Sequence, residues 1–235
     1  MNFTDKLRKF IHSILLKALP KKDFAVELIN EVPQVNGNKI YVMNHSNKYD
    51  APVACEAIKE HVFILVGRQA LEFMDRIFFF LNGVVYVDRK DKESKKQGMK
   101  RMLKVLQRGN SLLLYPEGTW NMTPSKPMLP LNWGVIDLAR DAEVPIIPLV
   151  AEYTPELCVV KFGGLIYIDH DVDKSEAIQH LEDVMATLKW EIWETLPIEK
   201  RSERLKGEFD LEMQKRVAEY PKLNLEYEMS CIRKV

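Results

Sequence analysis

A histidine and an aspartate five positions apart, His45 and Asp50, are the residues of this chain best suited to acid–base chemistry. Histidine titrates near neutral pH, so a neutral imidazole can accept a proton from a hydroxyl group. A carboxylate bound to the other ring nitrogen fixes the tautomer and stabilises the imidazolium that forms. Because the pair follows the apolar run Ile40 to Met43, taken alone it more readily indicates a polar turn after a strand, capped by Asn44 or Asp50.

Three further blocks follow this pair along the chain, at Asn82 to Arg89, Leu112 to Thr119 and Val144 to Val150. In order and separation, the four blocks resemble the PlsC-like glycerolipid acyltransferase family, whose best-known members are 1-acylglycerol-3-phosphate O-acyltransferases acting on lysophosphatidic acid. The resemblance covers about residues 40 to 155. It implies an O-acyltransferase with a role in phospholipid biosynthesis.

The resemblance implies a role for residues in three of the blocks. His45 is the expected general base and Asp50 the group that orients it, so the acceptor hydroxyl acts as the nucleophile and no enzyme nucleophile is needed. Arg89 would bind a phosphate through its planar fork, although its neighbours alone would indicate a solvated charged turn. The expected substrate-binding residues are Asn44, Lys48, Arg89, Glu117, Gly118, Thr119 and Trp120. The fourth block is expected to be structural.

Trp120 departs from the family pattern, which usually has an arginine after the threonine of the third block. The tryptophan removes a cation and a two-pronged phosphate donor. One possibility is that Lys48, Arg89 or Lys126 supplies the missing positive charge. The other is that the acceptor carries a head group without phosphate, against which the indole could stack.

Three functional hypotheses follow. The leading one is transfer of a fatty acyl group from an acyl thioester, either acyl-CoA or acyl carrier protein, to the hydroxyl of a lysophospholipid. The alternative is the same chemistry on a non-phosphate acceptor, such as an amino-acid or sugar lysolipid. A third is a non-catalytic lipid-binding or membrane adaptor, against which the presence of His45 and Asp50 argues.

The sequence predicts no cofactor and no metal. His170 and Asp171 have no neighbours that complete a ligand set, and Asp173 is suited to capping a helix. The 34 basic and 34 acidic residues balance, which argues against nucleic acid as a partner. Three widely spaced cysteines suggest neither a disulfide framework nor a zinc site, so we expect a cytoplasmic protein.

Residues 3 to 19 predict a basic amphipathic helix, because apolar residues recur at spacings of three and four. Such a helix either lies on an anionic membrane surface or docks on the rest of the domain. The first interpretation predicts a peripheral location on the inner face of the cell membrane. The apolar residues are Phe3, Leu7, Phe10, Ile11, Ile14, Leu15 and Ala18.

Apolar runs typical of strands alternate with helical patterns from residue 24 to 153. This alternation predicts an α/β fold with a largely parallel or mixed sheet flanked by helices. Val159 to Ile168 is expected to add one or two edge strands, and a helix capped by Asp173 should end before Pro197. The predicted organisation is therefore a membrane-surface helix (1–23), an acyltransferase domain (24–172) and a helical C-terminal extension (173–235).

Overall fold

The computed structural model describes residues 3–17, 23–67, 73–123, 126–197 and 205–218. The predicted alternation of strands and helices is confirmed. In chain order the elements are α1 (Phe3–Lys17), β1 (Ala25–Leu28), β2 (Ile40–Met43), α2 (Asp50–Ile58), β3 (Val62–Gly67), α3 (Phe73–Asn82), β4 (Val84–Val87), α4 (Lys92–Gln107), β5 (Ser111–Leu114), α5 (Gly134–Ala142), β6 (Ile146–Tyr153), β7 (Leu157–Phe162), α6 (Lys174–Thr195) and α7 (Glu208–Ala218).

The seven strands form one mixed sheet in the order β1-β7-β6-β2-β5-β3-β4. Neighbouring strands are parallel except β6 and β7, which are antiparallel. The predicted largely parallel or mixed sheet is therefore confirmed. The edge position predicted for a strand in Val159 to Ile168 is wrong, because β7 lies between β6 and β1, and β1 forms the edge.

Strand β2 lies inside the sheet between β6 and β5, and its four residues are at most 1% exposed. Ile40 and Val42 pack on the face covered by α4, α5 and α6, whereas Tyr41 and Met43 pack on the face covered by α2. A strand that is buried on both faces has no polar side chains to alternate with apolar ones. This explains the uninterrupted apolar run that precedes His45.

The sheet has one edge formed by the C-terminal ends of its parallel strands and an opposite edge formed by their N-terminal ends. The C-terminal ends of β2, β4 and β5 lead directly into His45, the Asp88–Arg89 turn and Tyr115. Helix α1 docks at the opposite edge, where its Asp5 and His12 contact residues that precede β5 and β4. No helix in the described ranges is long and apolar enough to cross a membrane.

Helix α6 covers the sheet beside α5. Asp173 caps it by accepting hydrogen bonds from the backbone N–H groups of Ser175 and Glu176, so the predicted start of this helix is confirmed. Helix α7 has no buried residue. Residues 198–204 and 219–235 of the predicted helical C-terminal extension lie outside the described residues.

Gly98 allows α4 to approach β4, the strand that leads to Arg89. A Cβ atom at Gly98 would lie 2.3 Å from Cγ2 of Val87. We predict that Gly98→Ala lowers the free energy of unfolding by about 1–3 kcal/mol, because overpacking outweighs the better helix propensity of alanine. Urea unfolding monitored by circular dichroism measures the change.

Gly134 of α5 supplies the matched control, since a Cβ atom there would lie 3.3 Å from the flexible Met99 side chain. Gly134→Ala should leave stability nearly unchanged. A Gly98→Ala protein as stable as the wild type would show that α4 can move away from β4 without cost.

Candidate active site

His45 and Asp50 are in direct contact. The Nδ1 atom of His45 lies 2.6 Å from Oδ2 of Asp50, whose side chain is 1% exposed, while that of His45 is 25% exposed. An ionised carboxylate only accepts hydrogen bonds, so Nδ1 carries the proton and Nε2 of the neutral ring keeps its lone pair. This arrangement is the one that a general base requires.

The loop between the two residues wraps around the carboxylate. Asp50 Oδ2 also accepts hydrogen bonds from the backbone N–H groups of Ser46 (2.7 Å) and Asn47 (2.9 Å). Its Oδ1 accepts the hydroxyl hydrogen of Tyr153 at 2.6 Å. These donors offset the cost of burying a charge and fix the direction of the carboxylate.

The main chain of His45 is held by the third block on one side and by Asn121, just after that block, on the other. Its N–H donates to Oε1 of Glu117 at 2.8 Å, and its carbonyl accepts from the N–H of Asn121 at 2.6 Å. Oε2 of Glu117 accepts from the N–H of Leu129 at 2.8 Å. Burial raises the pKa of Glu117 to about 8, although the two amide donors and the Lys189 ammonium act in the opposite direction.

Asn44 holds the same loop to β6. Its side-chain amide donates to the carbonyl of Ala151 at 3.0 Å, and its side-chain oxygen accepts from the N–H of Ala151 at 2.8 Å. Asn44 is 2% exposed and Glu117 is fully buried. The contacts of both residues are thus internal to the protein and position His45, while their binding of substrate stays a prediction.

Two aromatic side chains contact the imidazole. The ring of Tyr115 stacks on His45 with 4.5 Å between centroids, and the indole of Trp120 meets it edge-on at 5.8 Å. Burial raises the pKa of the Tyr115 hydroxyl, so this side chain stays neutral. Trp120, which stands where the family pattern usually has an arginine, therefore lies directly beside the proposed base.

Arg89 reaches the third block. Its guanidinium Nη1 donates to the carbonyl of Gly118, whose φ of +74° is a conformation that glycine adopts without strain. A Cβ atom at Gly67, where β3 ends, would lie 3.2 Å from Nε of Arg89, so this glycine leaves room for the side chain. The second and third blocks therefore meet at the same edge of the sheet as His45.

The other predicted binding residues lie in the same two loops. Thr119 is 5% exposed, next to Gly118. Lys48 belongs to the His45 loop, and its ammonium lies 5.1 Å from the ring centre of Tyr49. In the part of the chain that the structure describes, no group of three His, Cys, Asp or Glu side chains could hold a metal ion.

Comparison with known proteins assigns the family. The family model described as Acyltransferase matches residues 23–152, which is more than half of the chain. The chain belongs to the acyltransferase family. The matched segment runs from just before β1 to the last residue but one of β6 and contains both His45 and Asp50.

Several curated acyltransferases are similar in sequence. The 1-acyl-sn-glycerol-3-phosphate acyltransferase of Salmonella typhimurium is 27% identical over 50% of this chain and 48% of its own length. The enzyme of that name from Saccharomyces cerevisiae is 24% identical over 59% of this chain and 46% of its own length. The chain thus spans about half the length of these relatives.

A solved structure of a family member has the same fold. It is the crystal structure of the 1-acyl-sn-glycerophosphate acyltransferase PlsC from Thermotoga maritima, with a TM-score of 0.61 and 16% identity. The alignment covers 84% of this chain and 81% of that one. The predicted PlsC-like family and α/β architecture are confirmed.

Sequence reasoning missed some residues that hold the candidate site together. Asn121 and Leu129 contribute only backbone groups, so their side chains give no sequence signal. Tyr153 ends β6, which pairs in parallel with β2, so a search of the residues that end neighbouring strands would have found it. Lys189 of α6 lies beyond the segment that the family model matches.

Glu117 tests whether the third block positions the base. Glu117→Ala leaves two buried N–H groups without their acceptor, at a cost of about 1–3 kcal/mol each, and frees the His45 main chain. We predict reduced stability and a fall in kcat that exceeds the change in KM. Glu117→Gln keeps one acceptor oxygen and should be intermediate in both, as measured by urea unfolding and steady-state kinetics. Equal kcat in all three proteins would contradict this role.

Proposed function

We propose that this protein transfers a fatty acyl group from an acyl thioester to the hydroxyl of a lysophospholipid, with His45 as general base. The observation that carries the proposal is the 2.6 Å contact between Nδ1 of His45 and Oδ2 of Asp50, in a loop clamped by Glu117 and Asn121. Membership of the acyltransferase family supports the class of reaction. The contact also disfavours the non-catalytic adaptor, which has no need of an oriented base.

The proposed chemistry is a direct transfer. Nε2 of His45 removes the proton of the acceptor hydroxyl as its oxygen attacks the thioester carbonyl. The C–O bond forms, the C–S bond breaks, and the proton passes from the imidazolium to the departing thiolate. Asp50 stabilises the imidazolium between these two proton transfers. No cofactor takes part, and either acyl-CoA or acyl carrier protein serves as the donor substrate.

A phosphate-bearing acceptor is the first candidate. Arg89 lies at the same edge of the sheet as His45 and donates to the carbonyl of Gly118, and the planar fork of a guanidinium is suited to binding an anionic oxygen. The relatives' names refer to 1-acyl-sn-glycerol-3-phosphate, an acceptor of this kind. We therefore propose a lysophosphatidic acid-like acceptor, with Gly118 and Thr119 lining its path to the base.

Trp120 supports a second candidate, a lysolipid whose head carries no phosphate. The indole meets His45 edge-on at 5.8 Å, at the position where the family pattern has an arginine. An aromatic face binds a sugar ring or a cationic head better than it binds a phosphate, with a cation–π contact contributing about 0.5–2 kcal/mol. Comparing kcat/KM for lysophosphatidic acid and for amino-acid and sugar lysolipids decides between the two candidates.

His45→Ala tests the proposal. We predict a loss of about 100-fold or more in turnover, because the variant has no group to remove the hydroxyl proton. The assay follows transfer from acyl-CoA and from acyl carrier protein to the same panel of lysolipids. His170→Ala, at an exposed histidine, is the matched control and should retain activity. A folded His45→Ala protein with nearly wild-type turnover would refute the mechanism.

We further propose that the protein works on the inner face of the cell membrane, held there by α1. This helix docks with its polar side: Asp5 is 1% exposed and binds Asn110, and His12 is 3% exposed and binds Asn82. Its apolar side faces outward, with exposed fractions of 81% for Phe3 and 66% for Phe10. A helix that docks only for packing buries its apolar side, so this orientation supports contact with lipid. Leu7 and Ile14 extend the same exposed side.

Replacing both Phe3 and Phe10 by serine should weaken binding to anionic vesicles at least about tenfold, because each buried phenylalanine contributes about 1.5–3 kcal/mol. Turnover of a short-chain, water-soluble acceptor should be unchanged, since α1 docks at the sheet edge opposite His45. Trp190→Ser, at an exposed tryptophan of α6, is the control. Vesicle sedimentation measures binding, and undiminished binding of the double variant would exclude α1 as the anchor.

A further inference from the structure

Asp50 uses its two oxygens differently. Oδ2 accepts from His45 and from the backbone N–H groups of Ser46 and Asn47, whereas Oδ1 accepts the hydroxyl of Tyr153 at 2.6 Å. The hydroxyl therefore binds the carboxylate oxygen that the histidine loop does not. A donor at Oδ1 fixes the rotation of the carboxylate and withdraws negative charge from Oδ2.

The Tyr153 hydroxyl is a permanent donor. Burial raises the pKa of Tyr153 well above its usual value, and the nearby charge of Asp50 adds to the effect, so the phenol stays protonated. The ring packs edge-on against Phe24, with 5.5 Å between centroids. Phe24 in turn packs edge-on against Tyr49, the residue just before Asp50, at 5.3 Å. The Tyr153 ring thus packs against the residue that precedes β1, and that residue packs against the one that precedes α2.

The main chain next to Tyr153 is anchored by α6. Lys189 is 6% exposed, and its ammonium donates to the carbonyl of Ala151 at 2.6 Å and lies 2.6 Å from Oε2 of Glu152. The indole N–H of Trp193 donates to the same Glu152 oxygen at 2.6 Å. Two side chains from the C-terminal helix therefore hold the end of β6, where Tyr153 lies.

We propose that Tyr153 is a positioning residue of the acyl transfer reaction, acting through Asp50 to set the direction and the basicity of His45. This inference rests on the proposed function, in which His45 is the base. Without the hydroxyl, the full charge of Asp50 stabilises the imidazolium more strongly, and the carboxylate is freer to rotate. The first effect makes the imidazolium form of His45 harder to deprotonate. The second effect leaves the orientation of the His45 ring less well fixed.

Tyr153→Phe separates this role from simple packing, because it removes the oxygen and keeps the ring. The acid limb of the profile of kcat/KM against pH should shift to higher pH by roughly 0.5 unit, since the imidazolium persists to higher pH. At the optimum, kcat should fall by about tenfold, with KM for the acceptor little changed. The titratable groups around the dyad and Tyr153 are the same in both proteins and include Lys48, Tyr49, Cys55, Tyr115, Glu117, Cys158 and Lys189.

Tyr41→Phe is the matched control. Tyr41 is 1% exposed in β2, and its hydroxyl also interacts with a carboxylate, that of Glu60, beside the N-terminal end of β3. This variant likewise loses one buried hydroxyl, so its loss of stability should match that of Tyr153→Phe. Its acid limb and its kcat should be the same as in the wild type. If Tyr153→Phe and Tyr41→Phe changed the acid limb and kcat in the same way, Tyr153 would be only a structural residue.

Replacement of Tyr153 by 3-fluorotyrosine keeps the hydroxyl and the fold and makes the phenol a stronger donor. It should move the acid limb in the opposite direction, to lower pH. An unchanged acid limb and kcat in both Tyr153→Phe and the fluorotyrosine protein would overturn the inference. Near-normal turnover of His45→Ala would instead refute the proposed function, so the two failures are distinguishable.

Discussion

The buried carboxylate of Asp50 is the interaction on which the site depends. A charge in the protein interior is costly unless donors surround it, and here an imidazole, two backbone amides and a phenol converge on two oxygens. Those donors come from the loop after β2 and from the end of β6. Because the two strands are parallel neighbours in the sheet, the fold itself brings them to one place. The sheet therefore determines the geometry of the base.

The third block and the residues just after it hold this geometry in place. Glu117 and Asn121 hold the two main-chain polar groups of His45, and Glu117 also holds Leu129. The glycine between them, Gly118, presents its carbonyl to Arg89. One short loop thus connects the proposed base to the proposed phosphate-binding residue. A substitution in this loop is expected to disturb both, which makes loss of activity alone a poor guide to which residue touches the substrate.

Much of the fold was predictable because its central strands, such as β2 and β5, are buried on both faces. Uninterrupted apolar runs such as Ile40 to Met43 are typical of such strands, and Asp173 marks the start of α6 by its capping chemistry. The sequence of a strand does not indicate which other strands pair with it. The position of β7 inside the sheet depends on β1, a strand far away in the chain, so the edge prediction was wrong.

The candidate site was predictable in its motifs and less so in its contacts. The spacing of His45 and Asp50 suggested a dyad, but nothing local indicated that Tyr153 completes it from 103 positions away. The amphipathic pattern of α1 likewise predicted a helix without indicating which side docks. Asp5 and His12 dock because Asn110 and Asn82 offer them hydrogen bonds across long stretches of chain.

The central claim is that Asp50 holds His45 in the tautomer with a proton on Nδ1 and a lone pair on Nε2. Nuclear magnetic resonance of protein labelled with ¹⁵N at histidine, with His45 assigned from the His45→Ala spectrum, measures this directly. The account predicts that, in the neutral ring, the proton resides on Nδ1, and that Asp50→Asn lowers this preference. A proton on Nε2 in the wild-type protein would contradict it, because the nitrogen facing the acceptor would then be unable to act as a base.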